Sequence, residues 1–444
     1  MMRELDKGDI KSHIIHLSWP MVLVNVMQNA VSVYEMYLVG RLGLDSLAAL
    51  AIIMISVYML FFSVHGGLIN GAIAVTSRLA GQKRYSEIND AVVQMGIFAV
   101  FALGTFCAAF YIAIDPILVF FGAEGAVFDE AKAFLRILAF SFFPTAVFTV
   151  MIGVFRGAGD SITPLKLVIL LAVTNAVMNT VFVGFLGFGL KGVAVANLTG
   201  WSVVAVFTII MFARGKHYFR ITAENLRFKP AIMKSYAEIS GKAIAQNFVG
   251  DAGNIIMLKL IAGYGIAFIA AFGVVFRLIF FLNMFGWPIG NSGGVVVGQN
   301  LGSGNRERAK QAVKEGIKVY TRITAAALLV FLFFGRQIMG LFSVDAEVIK
   351  YGTDYLMILA PFMPVLGAGI IIQAAFNGAG STGRPTLINL AAFIVIRFAA
   401  ALFLVSLPFL NEYGIFWAMA VSIAAYSLIG WIVYKRGGWL DKKI

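Results

Sequence analysis

Apolar and polar positions along this chain alternate on a long wavelength. Apolar runs of roughly 20 residues recur from about Ile14 onward, separated by short polar stretches. Each run is long enough to cross about 30 Å of hydrocarbon as an α-helix. Barrel strands would instead alternate at period two over about ten residues, and these runs do not. Backbone groups in lipid must be satisfied internally, which leaves helices. Twelve spans are predicted, centred near residues 27, 60, 102, 145, 176, 202, 252, 280, 325, 363, 397 and 423. The expected fold is an all-α polytopic membrane protein.

The pattern also repeats. "GAGDSITP" (Gly157 to Pro164) returns as "GAGSTGRP" (Gly378 to Pro385), an offset of 221. The same offset carries Gly81, Ala91 and Val92 onto Gly302, Ala312 and Val313; an offset of 222 carries Gly43 onto Gly265 and Gly192 onto Gly414. Two six-helix bundles are expected, 1–213 and 243–444, with 214–242 as a cytoplasmic linker. Six is even, so both halves start on the same side of the membrane. The repeats are then parallel, related by a pseudo-two-fold axis along the membrane normal. Such symmetry suits a transporter, whereas a purely structural protein has no need of it.

Polar residues inside the apolar runs carry the candidate chemistry. Glu35 falls in the first span, where insertion scales put a charge at roughly 2.5 to 3.5 kcal/mol. Helical spacing back from it meets Ser32, Gln28 or Asn29, and Asn25, a polar stripe that must face protein or water. One reading is a structural hydrogen-bonding face. The preferred one is a cation or proton site, since a carboxyl group out of water is costly to ionise and can load and release a proton. In the fifth span, "TNAVMNTVF" puts Asn175 and Asn179 on one face, and Asn197 lies in the sixth. Amides in a span commonly join helices; beside a carboxylate they also offer the oxygen ligands that hard cations take. In the second half, Asn247, Asp251 and Asn254 share a face of the seventh span, with Lys259 beyond, and Arg277 and Arg397 lie in the eighth and eleventh. Each of these is either half of a buried pair or a substrate contact.

Composition narrows the class further. The chain of 444 residues is 60% hydrophobic and 13% charged, with mean hydropathy +0.88, too little polar surface for a soluble protein of this length. The net charge of +13 reflects topology rather than nucleic acid. Arg3, Lys7, Lys11, Arg78, Lys83, Arg84, Arg156 and Lys166 fall in loops of one side. So do Arg214, Lys216, Arg220, Arg227, Lys229, Lys234, Lys242, Arg306, Arg308, Lys310, Arg384, Lys435, Arg436, Lys442 and Lys443. The opposite loops are poor in basic residues, and "DPILVFFGAEGAVFDEAK" is acidic. Positive charge marks the inner side, which puts both termini in the cytoplasm of a multi-pass plasma-membrane protein. The polar start and long first span show no cleavable signal peptide. The single cysteine, Cys107, excludes an intramolecular disulfide, and four histidines with one cysteine give no zinc spacing. "GFGLKG" at Gly187 joins two spans with no strand before it, so it does not read as a dinucleotide loop, and no P-loop occurs. "HGG" at His65 has no nucleophile elbow to serve. No enzymatic activity and no cofactor are expected.

Three stretches resemble one known family, the multidrug and toxic compound extrusion (MATE) transporters: "LSWPMVLVNVMQNAVSVYEMYLVGRLG", the pair "FRGAGDSITP" and "FNGAGSTGRP", and "NAVMNTVFVGFLGFGLKGVAVAN". The resemblance covers nearly the whole chain. It implies two bundles forming a V-shaped cleft, with export of organic cations driven by inward flow of Na⁺ or H⁺ through alternating access. By that resemblance Glu35 falls where the family usually has aspartate, and Asn175 matches a family asparagine. Asn179 stands where many members have a second aspartate, Asn197 where threonine is common, and Asp251 within about one residue of a seventh-span carboxylate. Glu35, Asn175, Asn179 and Asn197 are thus the expected ion-coupling set, as a proton site or a Na⁺ site. Gln28, Ser32, Asp251, Asn254, Arg277 and Arg397 are candidate substrate or second-lobe residues. The expected partners are the lipid bilayer and small organic cations, with the chain a monomer. The alternative is a flippase for a lipid-linked precursor, gripping phosphate with Lys259, Arg277 and Arg397.

Overall fold

A computed structural model describes residues 4–54, 59–215 and 221–442. Arg3, Lys216, Arg220 and Lys443 of the inner-loop set lie outside them. Every regular element among the described residues is helical, with no strand.

The first half contains α1 (Ile10–Gly40), α2 (Leu44–Ile53), α3 (Met59–Gly81), α4 (Tyr85–Phe120), α5 (Gly125–Phe140), α6 (Phe142–Gly157), α7 (Ile162–Asn179) and α8 (Gly189–Ala213). The second contains α9 (Pro230–Ile261), α10 (Ile266–Gly302), α11 (Arg306–Phe342), α12 (Ala346–Leu359), α13 (Met363–Gly378), α14 (Gly383–Asn389), α15 (Arg397–Val405) and α16 (Tyr413–Lys435). Two compact units result. One takes residues 1–4 and 19–244, the other 5–18 and 245–444, so α1 and α9 each contribute to both.

Ten helical segments among the described residues are long and apolar enough to span a membrane, and the bent pair α5–α6 makes an eleventh. The twelfth expected span is α9, a helix of 32 residues that also carries Lys234, Glu238, Lys242, Asp251 and Lys259. It begins inside the stretch expected as linker. The span expected near residue 60 falls on the described helix Leu60–Gly81, and residues 55–58 before it lie outside the described residues. Its "HGGLING" segment lowers local hydropathy, yet its glycines permit close packing. A Cβ on Gly67 would lie 2.6 Å from the backbone N of Ile244, and one on Gly71 2.0 Å from Ser240 Oγ.

The 51° bend between α5 and α6 has a local cause. Pro144 in the first turn of α6 has no N–H to donate back to Phe140. In the second half Pro361 and Pro364 mark the matching break between α12 and α13.

The internal repeat is visible in the packing. A Cβ on Gly157 (α6) would meet the carbonyl O of Ile73 (α3) at 3.0 Å; one on Gly378 (α13) would meet that of Gly294 (α10) at 2.0 Å. Both members of each pair are 221 residues apart. The seventh-span region has its own anchor on unit one. Asp90 of α4 accepts from Asn225 Nδ2 at 2.8 Å and pairs with Lys229, while Gln94 Nε2 donates to Arg227 O at 2.9 Å.

Candidate ion-coupling site

Glu35 lies toward the end of α1, one turn before Gly40, and is buried at 6% exposure. Its Oε1 accepts Asn197 Nδ2 of α8 at 3.0 Å and Asn179 Nδ2 of α7 at 3.4 Å. Asn175 Nδ2 donates to Asn197 Oδ1 at 3.3 Å, which extends the chain of amides by one. Asn197 Nδ2 also reaches Val193 O at 3.1 Å, fixing the amide to its own helix. The four residues from three helices therefore form one connected cluster.

Local structure explains why they meet. Asn175 and Asn179 sit four residues apart and share a face of α7. At Asn179 the helix loosens into a π-helical stretch, Thr180–Phe185, and such stretches occur often at functional positions. Thr180 there bonds Tyr34 across to α1, Oγ1 to OH, at 2.6 Å, next door to Glu35. On α8 the key residue is Gly200, a position that sequence reasoning missed. A Cβ there would stand 1.9 Å from Asn175 Oδ1, so only glycine lets the amide occupy that space.

The electrostatics follow from what is and is not present. No Lys, Arg or His pairs with Glu35 among the described residues. The carbonyl oxygens Asn175 Oδ1 and Asn179 Oδ1 are buried with no hydrogen-bond partner. One carboxylate and two unpartnered amide oxygens belong to this one hydrogen-bonded cluster, and oxygen is the donor type that hard cations take. Among the described residues no group of three or more His, Cys, Asp or Glu could hold a metal.

The remaining candidates divide. Gln28 and Ser32 stay exposed and do not join the cluster, and Asn29 turns back to Asn25 O at 2.8 Å. The stripe along α1 is thus split, with Glu35 buried, Asn25 half-buried, and Gln28, Asn29 and Ser32 exposed. Arg277 is exposed on α10, Lys259 exposed on α9, and Asp251 half-buried. Arg397 and Asn254 come together: Nη1 donates to Asn254 Oδ1 at 3.0 Å and Nε to Ser422 Oγ at 2.9 Å. Ser422 was not anticipated, having no mark in sequence beyond its place in α16.

The MatE family model matches residues 20–181 and again 243–403. The chain belongs to the MatE family. The double match is the internal repeat seen from the family's side. Among relatives, the probable multidrug resistance protein YpnP of Bacillus subtilis is 23% identical, over 99% of this chain and 98% of its own length. A protein of Shewanella oneidensis named FAD transporter is 21% identical, over 87% and 86%. A MATE crystal structure solved in complex with MaL6 superposes with a TM-score of 0.90 at 22% identity, covering 99% of both chains. This MatE protein is therefore a multi-pass membrane transporter with the family's two-lobe fold, and not an enzyme.

Proposed function

We propose that this MatE protein is a secondary multidrug efflux antiporter, exporting organic cations or other toxic amphiphiles in exchange for H⁺ or Na⁺ held at Glu35. One observation carries the reading: a buried carboxylate, ringed by amides, with no cationic partner among the described residues. An isolated charge in that setting is strongly unfavourable, so the site favours taking up a cation. As a proton site, Glu35 is neutralised directly. As a Na⁺ site, Glu35 would share the ion with Asn175 Oδ1 and Asn179 Oδ1. The name of the Bacillus relative supports the drug cargo.

Coupling follows from linkage. An ion that prefers one conformational state and cargo that prefers the other must weaken each other's binding equally. The halves 1–213 and 243–444 act as the two lobes, and 214–242 as their connection. The chain works as a monomer in the plasma membrane with both termini cytoplasmic, supported by the one-sided placement of Lys and Arg.

The test is efflux of a fluorescent organic cation from vesicles under a proton gradient alone and a sodium gradient alone, for wild type and Glu35→Gln. Transport driven by one gradient and lost in the variant is expected; full transport in the variant would remove Glu35 from the mechanism. A second reading, a phosphate-bearing cargo such as a lipid-linked precursor, draws on the relative named FAD transporter. Robust organic-cation export with normal lipid-linked precursor levels in a deletion strain would dispose of it.

A further inference from the structure

The second unit contains a charge of the opposite sign, also without a counter-charge. Arg397 opens α15 directly after a π-helical stretch, Leu390–Ile396, and is buried at 5% exposure. Two of its five N–H groups have protein partners, the Nε bond to Ser422 Oγ and the Nη1 bond to Asn254 Oδ1. Its guanidinium carbon lies 4.5 Å from the centroid of the Phe393 ring, which itself stacks on Tyr426 at 4.9 Å. No carboxylate pairs with it among the described residues. The Nη2 group has no partner there either. The phenol of Tyr355, in the same unit, is fully buried against Phe272 and Phe416, and its hydroxyl has no hydrogen-bond partner.

The place of this cluster in the repeat gives it meaning. At an offset of 222, Ser32 falls on Asn254, Asn175 on Arg397 and Gly200 on Ser422. The geometry supports the pairing: a Cβ on Gly200 would meet Asn175 Oδ1, and Ser422 Oγ meets Arg397 Nε. Between Pro385, at an offset of 221, and Arg397, at 222, lies the π-helical stretch Leu390–Ile396, which takes up one extra residue where the first half's 168–174 is ordinary α-helix. Gly253 completes the site's frame. A Cβ there would stand 2.7 Å from Phe393 O, so glycine lets α9 close in and present Asn254 to the guanidinium.

We propose that Arg397, with Asn254 and Ser422, forms a binding site for an anionic group, a phosphate or carboxylate borne on an apolar body, at the place where the first half of the repeat has Asn175 and Gly200. The charge logic is that of Glu35 with the sign reversed. A buried guanidinium whose planar fork is half used offers the remaining N–H groups to a planar or tetrahedral oxyanion. The Phe393 ring, against both the guanidinium and Tyr426, holds the fork in place. At this position the two repeats have thus diverged, an amide in the first and a guanidinium in the second. This inference stands on the second unit alone and does not depend on the ion held at Glu35.

The experiment is equilibrium binding of 1-naphthyl phosphate and of neutral 1-naphthol to the purified full chain in phosphatidylcholine nanodiscs. No gradient is applied, so failure here is separate from failure of coupling. Wild type is expected to bind the phosphate about tenfold or more tighter than the naphthol, since hydrogen bonds to charged groups are worth at least that factor. Inorganic phosphate should compete. Arg397→Gln should erase the preference and Arg397→Lys, which keeps the charge but not the fork, should retain part of it. Discs containing phosphatidylglycerol separate two sources of the anion. Arg397-dependent competition by that lipid assigns the site to a headgroup, and indifference to it assigns the site to a soluble aromatic anion. Equal affinity for the two naphthyl probes in wild type overturns the proposal, without recourse to any variant. So does a preference that survives in a folded Arg397→Gln.

Discussion

Asn197 touches both Glu35 and Asn175, donating to one and accepting from the other, so its loss should be felt at two places. Hydrogen bonds to charged groups contribute roughly 1.5 to 3 kcal/mol. Asn197→Ala is therefore expected to raise the concentration of coupling ion needed for half-maximal transport by about tenfold. An unchanged ion dependence would show that the amide only joins helices. Gly200→Ala tests the same cluster from behind. Its new methyl group would occupy the space of Asn175 Oδ1 and displace the amide, weakening ion dependence in the same direction but less. At this scale the sequence revealed residue types better than partners. Glu35, Asn175, Asn179 and Asn197 stood out because polar side chains are costly in an apolar run. Gly200 and Ser422 did not, because a glycine or serine in a membrane helix is ordinary and its importance lies in what stands opposite. Gln28 and Ser32 share the helical spacing of Glu35, yet a stripe that spans several turns need not all face the same neighbour, and theirs is exposed.

Between elements, packing depends on a few close approaches. Gly378→Ala would place a methyl group 2.0 Å from Gly294 O, where backbone cannot yield as a flexible side chain can. Overpacking of this kind costs about 1 to 3 kcal/mol. A lowered melting temperature is expected by scanning fluorimetry of the detergent-solubilised protein. Gly340→Ala, where nothing lies within 4 Å, is expected to be neutral or slightly stabilising. Equal effects of the two would contradict the packing account. The segment leading into α9 is held by Asp90, which receives Asn225 and pairs with Lys229. Asp90→Ala should loosen that segment and speed tryptic cleavage after Arg227, read by mass spectrometry; an unchanged cleavage rate would mean the anchor is redundant. The apolar runs were legible as spans, while the breaks at Pro144, Pro361 and Pro364 were not read from them. The seventh span was expected near 252, but its start at Pro230 was not, because Lys234, Glu238 and Lys242 in its first part read as linker. Its charges are tolerated where the helix packs on protein, as Tyr236 does by bonding Leu68 O at 3.1 Å.

Across the whole molecule, one ancestral arrangement has been used twice with different chemistry. The repeat was readable from "GAGDSITP" and "GAGSTGRP" because glycine and proline positions are fixed by backbone demands and resist drift. What each copy does was less readable, since function lies in side chains that differ between them: an acid among amides in the first, a guanidinium between a hydroxyl and an amide in the second. In the proposed mechanism, Glu35 holds the ion that cargo displaces. The most direct test of this is to add tetraphenylphosphonium to purified protein in weakly buffered solution, and to record proton release and release of bound radioactive Na⁺ in parallel. That mechanism predicts that one of the two ions leaves the wild type on cargo binding and that neither leaves Glu35→Gln. Ion release of equal size from that variant would contradict it.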